Sequence, residues 1–289
     1  MDTVLLSGFS DEIAPEFDTQ LAAVTEWGLT HIELRAADGV NVSDFSPAKV
    51  KEVKQKLEAA GVAVSSIGSP IGKISVTDDF APHLEKLKRT LEIQKELCAP
   101  YLRMFSFYLP QGQDPALYRE EVLDRMGQMV ETARSWDSVL LHENEKGIYG
   151  DNAPRCKDLM DQFYGPYFQA VFDFANFVQV GQATLPAYQL LKPYIAYVHV
   201  KDAQWGSGTV VPPGQGDGDL PAILGDLLQT GWKGFLSLEP HLTDFAGLAA
   251  LEHDPQKRGS ALDGKSAWKL ALDSLKEILS AIPQAKEAL

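Results

Sequence analysis

Four short apolar runs in the second half of the chain end on side chains that can ligate a cation or move a proton. They are Leu140-Leu141-His142-Glu143-Asn144, Val171-Phe172-Asp173-Phe174, Tyr197-Val198-His199-Val200 and Leu236-Ser237-Leu238-Glu239-Pro240. Side chains alternate across a strand, so Glu143 shares a face with Leu141 and Val139, and Asp173 with Val171. By the same parity His199 falls with Tyr197 and Ile195, and Glu239 with Ser237 and Phe235. The intervening Leu140, Phe172, Val198, Leu236 and Leu238 suit a layer packed beneath helices. Neighbouring strands lie only ~4.8 Å apart, so four such strand ends crowd three carboxylates into one mouth. A cation compensates that charge. Three carboxylates and one imidazole make Glu143, Asp173, His199 and Glu239 a candidate site for one divalent metal ion: Mn²⁺, Mg²⁺, Co²⁺ or Zn²⁺.

The elements that must position these groups follow from the rest of the chain. Runs rich in Val, Ile, Leu and Phe alternate with stretches of 3.6-residue period, which is the pattern of repeated βα units. Strands are expected at 4–9, 31–36, 62–68, 101–107, 138–144, 169–175, 195–201 and 234–240. The helices that follow them are expected at 15–27, 47–60, 83–97, 115–136, 154–163, 185–191, 220–230 and 267–281. Gly28 and Gly61 stand where left-handed C-caps are wanted, and Ser46-Pro47 and Asp114-Pro115 read as a cap before an N1 proline. Eight pairs and no linker rich in Pro, Gly or Ser predict an α/β fold, a single-domain (β/α)8 TIM barrel over residues 1–289. The first turn, Gly8-Phe9-Ser10-Asp11-Glu12, is not the GxGxxG of a doubly wound sheet. Two long connections, 202–219 and 241–266, fall on the face where barrels keep their active sites.

Charge and composition narrow the class of partner. The 289 residues carry 40 Asp+Glu against 26 Lys+Arg, a formal charge of −14, which disfavours a nucleic-acid partner. No apolar run approaches the ~18 residues of a membrane span, and the N-terminus lacks a basic region with a cleavage pattern. A cytoplasmic protein with no membrane partner is expected. Cys98 and Cys156, the two cysteines, lack CxxC spacing and read as reduced thiols.

Taken together, His31-Ile32-Glu33-Leu34-Arg35, Glu143-Asn144-Glu145, Phe172-Asp173-Phe174-Ala175-Asn176, His199-Val200-Lys201-Asp202 and Leu238-Glu239-Pro240 resemble the xylose-isomerase-like barrels. That sugar isomerase and epimerase group also includes inosose dehydratase and AP endonucleases. The resemblance covers nearly the whole chain. It implies that Glu143, Asp173, His199 and Glu239 bind the metal and that Glu143 and Glu239 also take and return protons. The reaction implied is isomerisation or epimerisation of a small sugar or keto-sugar, phosphorylated or not, through a metal-stabilised enediolate. A lyase or dehydratase acting on a keto-sugar or inosose is the alternative from the same site. Barrels of this group often pair, so a homodimer is the accompanying expectation.

Departures from the group are informative. Ketose 3-epimerases carry a substrate-binding His where Asn176 stands here, and an Arg where Trp205 stands, which sets this chain apart from that type. AP endonucleases need further His and Asp ligands, and His31, His83, His142, His199, His241 and His253 are all the histidines available. Asn176, Trp205, Lys201 and Lys73 are the substrate-contact candidates. Lys201 shares the inward parity of His199. Arg35 is the alternative to Lys73 at the mouth, with Lys73 preferred, and Arg103 reads as a deeper ion pair. The acidic, glycine-rich stretch at 213–219 reads as a turn shaping the pocket rather than a phosphate loop. His241 reads as a neighbour of Glu239.

Overall fold

A computed structural model describes residues 3–243 and 262–285. Eight parallel strands form the barrel: β1 (Val4–Gly8), β2 (His31–Leu34), β3 (Ala63–Gly68), β4 (Tyr101–Met104), β5 (Val139–Glu143), β6 (Phe168–Asp173), β7 (Ile195–Val200) and β8 (Gly234–Leu238). Each strand pairs with the next from β2 to β8, and β8 pairs with β1. The remaining seam, between β1 and β2, is closed by one backbone bridge, Phe9 to Glu33.

Among the described residues, the α-helices outside the barrel are α1 (Phe17–Glu26), α2 (Pro47–Ala60), α3 (Ala81–Glu96), α4 (Arg119–Ser135), α5 (Ala153–Phe163), α6 (Phe174–Gln179), α7 (Thr184–Leu191), α8 (Leu220–Gln229) and α9 (Gly264–Ser280). Their ends carry the expected chemistry. Ser46 Oγ accepts the Lys49 amide at 3.2 Å, Pro47 begins α2, and Gly61 closes it at φ 65°.

The faces separate as alternation requires. Leu141, Val171, Tyr197 and Phe235, with Leu5, Tyr101 and Val139 against them, fill the barrel interior below the site. Leu140, Phe172, Val198, Leu236 and Leu238 belong to the larger core between strands and helices. Ile195 departs from its expected face: it packs in that outer core, and Ala196 contacts the interior. The cause is a register slip at Ala170/Val171, which leaves Ala196 as an extra residue opposite β6.

Other differences have local causes. Strand 4 stops at Met104 rather than 107, because Phe105 and Phe107 donate to Ile71 and Gly72 carbonyls in the loop after β3. The expected 115–136 helix begins as a 3-10 turn, Pro115–Tyr118. The short α6 had no periodicity long enough to announce it. Two-residue hairpins, Ala36–Ala37 with Val40–Asn41 and Asp202–Ala203 with Val210–Val211, decorate the mouth. Most of the long connection after β8, His253 included, lies outside the described residues. None of the described helices is long and apolar enough to cross a membrane.

Candidate metal centre

Each candidate ligand sits at the C-terminal end of its strand. Glu143 ends β5, Asp173 ends β6, His199 is the penultimate residue of β7 and Glu239 follows β8. Strand register aligns Asp173 with His199 and His199 with Ser237. One ligand atom from each of Glu143, Asp173, His199 and Glu239 lies within 4.8 Å of every other. All four residues are buried. Asp173 does double duty as the N-cap of α6: its Oδ1 accepts the Asn176 amide at 2.7 Å.

Cations and amides hold the carboxylates. Lys201 Nζ bridges Asp173 Oδ2 at 3.1 Å and Glu239 Oε2 at 2.9 Å, and Arg103 Nη1 lies 3.2 Å from Glu143 Oε2. Asn176 Nδ2 donates to Glu143 Oε1 at 3.2 Å and to the Asn144 carbonyl at 2.8 Å. Asn144 in turn clasps the Asp173 backbone, donating to its carbonyl and accepting its amide, both at 3.0 Å. The loops after β5 and β6 are thereby locked to each other.

The charge balance shows what is left to neutralise. Burial, followed by the Glu239 and Glu143 charges, pushes the Asp173 carboxyl up to about 8 even though Lys201 opposes the shift. His199 is raised well above its ordinary value: burial works against its charge, and the Glu143 and Glu33 carboxylates outweigh it. Glu239 stays well below the usual carboxylate range, since Lys201 and His241 overcome its desolvation. Glu143 Oε2 and Asp173 Oδ2 are buried and receive no hydrogen bond, although each has a cation near it. Two under-satisfied carboxylate oxygens beside an imidazole nitrogen suit a divalent cation, with Glu143, Asp173, His199 and Glu239 as the residues that would hold it.

A second ligating group among the described residues, Glu12, Glu239 and His241, is already served by a guanidinium. Arg35 Nη2 lies 3.1 Å from Glu12 Oε1, and Arg35 Nη1 lies 3.6 Å from Glu239 Oε1. His241 Nε2 lies 3.2 Å from Glu239 Oε1, the neighbourhood its spacing suggested.

The substrate-contact candidates land in different settings. Lys201 and Asn176 are buried in the cluster itself. Lys73 lies 3.1 Å from Glu145 Oε2 and over the Phe105 ring, at the edge of the cluster. Trp205 is 51% exposed on the loop after β7 and is not gathered into the cluster. Arg35, the alternative to Lys73, is buried and paired with Asp11, Glu12 and Glu239. Arg103 is the deep ion pair its position suggested, and its partner is Glu143.

Glu33, Asp11 and Glu12 were not singled out as site residues by the sequence reading. Glu33 Oε2 lies 3.0 Å from His199 Nε2. A signal for it existed: in His31-Ile32-Glu33-Leu34 the apolar Ile32 and Leu34 alternate with Glu33, which puts Glu33 on the polar inner face. The glycine-rich stretch is built around Asp202, whose carboxylate accepts the amides of Ala203, Gly214, Gly216 and Gly218 at 2.9–3.0 Å.

A profile of the xylose isomerase-like TIM barrel family matches residues 21–281, and the chain belongs to that family. Solved structures with the same fold share little sequence. D-psicose 3-epimerase with D-tagatose, from Clostridium cellulolyticum H10, superposes with TM-score 0.75 at 13% identity, covering 96% of this chain and 99% of that one. The probable 3-DHS dehydratase of petrobactin synthesis from Bacillus anthracis gives 0.70 at 18% identity, over 96% and 99%. A xylose isomerase-like TIM barrel protein from Mycobacterium smegmatis, in complex with magnesium, gives 0.64 at 19% identity, over 94% and 97%. Among curated proteins, no sequence matches significantly.

Proposed function

We propose that this protein is a divalent-metal-dependent isomerase or epimerase of a small sugar or keto-sugar, acting by proton transfer. The observation that carries the reading is the convergence of Glu143, Asp173, His199 and Glu239, two of whose buried oxygens no hydrogen bond satisfies. A divalent cation held there would stabilise negative charge on a substrate oxygen while a proton leaves the neighbouring carbon. The chain's own residues do the rest. Glu143 and Glu239 come from non-adjacent strands, so their carboxylates approach a substrate from different sides. One takes the proton, and the other or the same one returns it; a new face gives epimerisation and a new carbon gives aldose–ketose isomerisation. Lys201 offers an ammonium to a substrate carbonyl, carboxylate or phosphate oxygen. Asn176 fixes the Glu143 carboxylate. The fold shared with an epimerase, and with a protein crystallised with magnesium, supports this class of chemistry.

The test is solvent exchange. Metal-loaded protein is incubated in D₂O with a panel of ketoses and keto-sugars and followed by NMR. The expected outcome is deuterium at the carbon beside the carbonyl and a product of equal mass, abolished by EDTA and restored by Mn²⁺. Release of water or of a second product would instead place the enzyme with the dehydratases. Turnover that survives EDTA rules out the metal role.

A further inference from the structure

Behind His199 lies a buried carboxylate from the opposite side of the barrel. The two imidazole nitrogens face different partners: Nδ1 is 3.0 Å from Glu143 Oε1 and 3.6 Å from Glu239 Oε2, while Nε2 is 3.0 Å from Glu33 Oε2. Only Nδ1 faces the ligand cluster. Glu33 Oε2 also accepts the Ser237 hydroxyl at 2.6 Å and the Tyr197 hydroxyl at 3.0 Å. That tyrosine hydroxyl lies 2.8 Å from Ser65 Oγ, which lies 2.6 Å from Ser7 Oγ. All of these side chains are buried.

The backbone has been adjusted to deliver Glu33. Its residue makes the bridge to Phe9 that closes the barrel, and the β2–β3 register slips between Ile32 and Glu33, leaving Ser65 as the extra residue. Bulges of this kind re-aim side chains beside functional sites. Phe9 packs edge-on against the His199 ring, 5.2 Å between centroids, which holds the ring plane.

We infer that Glu33 is a positioning residue for the metal centre: by accepting the Nε2 proton of His199 it presents Nδ1, lone pair outward, to the cation held with Glu143, Asp173 and Glu239. The inference rests on the metal reading given above. An ionised carboxylate has no proton to give, so it satisfies one imidazole tautomer only. A carboxylate behind a ligating imidazole also raises its basicity, and losing such a partner typically lowers metal affinity about 10- to 100-fold. A glutamine at this place would have the same shape but could either accept from Nε2 or donate to it, so both tautomers would be satisfied.

The experiment is Mn²⁺ binding to the purified full-length protein, read by electron paramagnetic resonance, for wild type, Glu33→Gln, Glu33→Asp and Tyr197→Phe. Glu33→Gln is expected to weaken binding roughly tenfold or more, Glu33→Asp by less, and Tyr197→Phe by under about threefold. Tyr197→Phe removes a hydrogen bond from the same oxygen without touching the imidazole, so it measures the effect of disturbing the network alone. Proton–nitrogen spectra of ¹⁵N-histidine protein loaded with Zn²⁺ supply the second readout, with His199→Gln used for assignment. A downfield, slowly exchanging Nε2 proton on His199 is expected in the wild type, moved upfield in Glu33→Gln.

Equal Mn²⁺ affinity for wild type and Glu33→Gln, or an equal loss in Tyr197→Phe and Glu33→Gln, overturns the positioning role while the metal reading stands. Wild-type protein that binds no Mn²⁺ overturns both. If Glu33→Gln does not fold, Glu33→Asp decides, since it keeps the charge but draws it back from Nε2: weakened binding supports the role and unchanged binding overturns it.

Discussion

The two halves of the barrel contribute opposite things to one site. Strands β5 to β8 bring Glu143, Asp173, His199 and Glu239, an acidic set that would repel itself. The β1 to β4 half brings the guanidinium groups, together with the buried carboxylates of Asp11, Glu12 and Glu33: Arg103 in β4 pairs with Glu143 of the adjacent β5, and Arg35, just after β2, pairs with Glu239, Asp11 and Glu12. Lys201, just after β7, and His241, after β8, place basic groups inside the acidic half. The two arginines of the first half thus act as fixed counter-charges for Glu143 and Glu239. It follows that Glu143, Asp173, His199 and Glu239 of the second half should control chemistry, and the two arginines of the first half should control whether the acidic mouth can fold.

The largest effects should come from the acidic half. Glu143→Gln and Glu239→Gln each remove a proposed proton-transfer group, and each is expected to lower kcat by about 10³- to 10⁴-fold, or roughly 4–5.5 kcal/mol. Circular dichroism at 25 °C should remain native. Turnover within tenfold of wild type in both variants would break the assignment of the two glutamates. Next in size is Arg103→Met. It leaves the buried Glu143 carboxylate without its guanidinium, and such losses cost about 3–4 kcal/mol of stability. Urea unfolding in the presence of EDTA measures it, and an unchanged midpoint would show that the first half is not needed as counter-charge.

The same contrast explains what was legible in the sequence. The eight βα units were legible because strand and helix periods alternate cleanly and because Gly61 and Ser46-Pro47 mark helix ends by backbone chemistry. The meeting of Glu143, Asp173, His199 and Glu239 was legible because parity and strand order alone place them. The partners from the first half were harder to read. Glu33 and Arg103 sit singly in short strands and Arg35 follows one. Glu33 and Arg35 reach His199 and Glu239 from distant strands, while Arg103 meets Glu143 on the neighbouring strand, and no sequence spacing reports any of these pairings. Register slips hid a further part: alternation assumes an unbroken ladder, so Ile195 was assigned to the wrong face.

A sharper version of the comparison lies within one strand. Glu143 faces the mouth, while His142 beside it is buried with Nε2 2.9 Å from Ser106 Oγ. Burial pushes the His142 imidazole down to about 3. Its folded value therefore lies below its unfolded value of about 6.5. The unfolded chain takes up a proton that the folded one refuses, so stability present above pH 6.5 falls away as the pH drops toward 3. Between pH 7 and pH 4 the loss from this group is about 3 kcal/mol. His142→Gln has no such titration, and its unfolding free energy is expected to fall by about that much less over the same interval. Parallel pH profiles for the two proteins would contradict a neutral buried His142.

The smallest of these effects tests the loop after β7. Asp202 holds this loop by accepting the Gly214, Gly216 and Gly218 amides, and the close approach leaves no room for a side chain at Gly216. A Cβ there would meet Asp202 Oδ1 at 2.4 Å and the Ala203 carbonyl oxygen at 2.6 Å, neither of which can yield without giving up its place in the loop. Gly216→Ala is expected to cost about 2 kcal/mol, in the range of overpacked buried sites. Because the loop begins beside Lys201, the variant should also raise KM for the substrate more than it lowers kcat. A variant with wild-type stability and KM would mean that the loop can move off Asp202 without cost, and that its glycines answer to something other than this carboxylate.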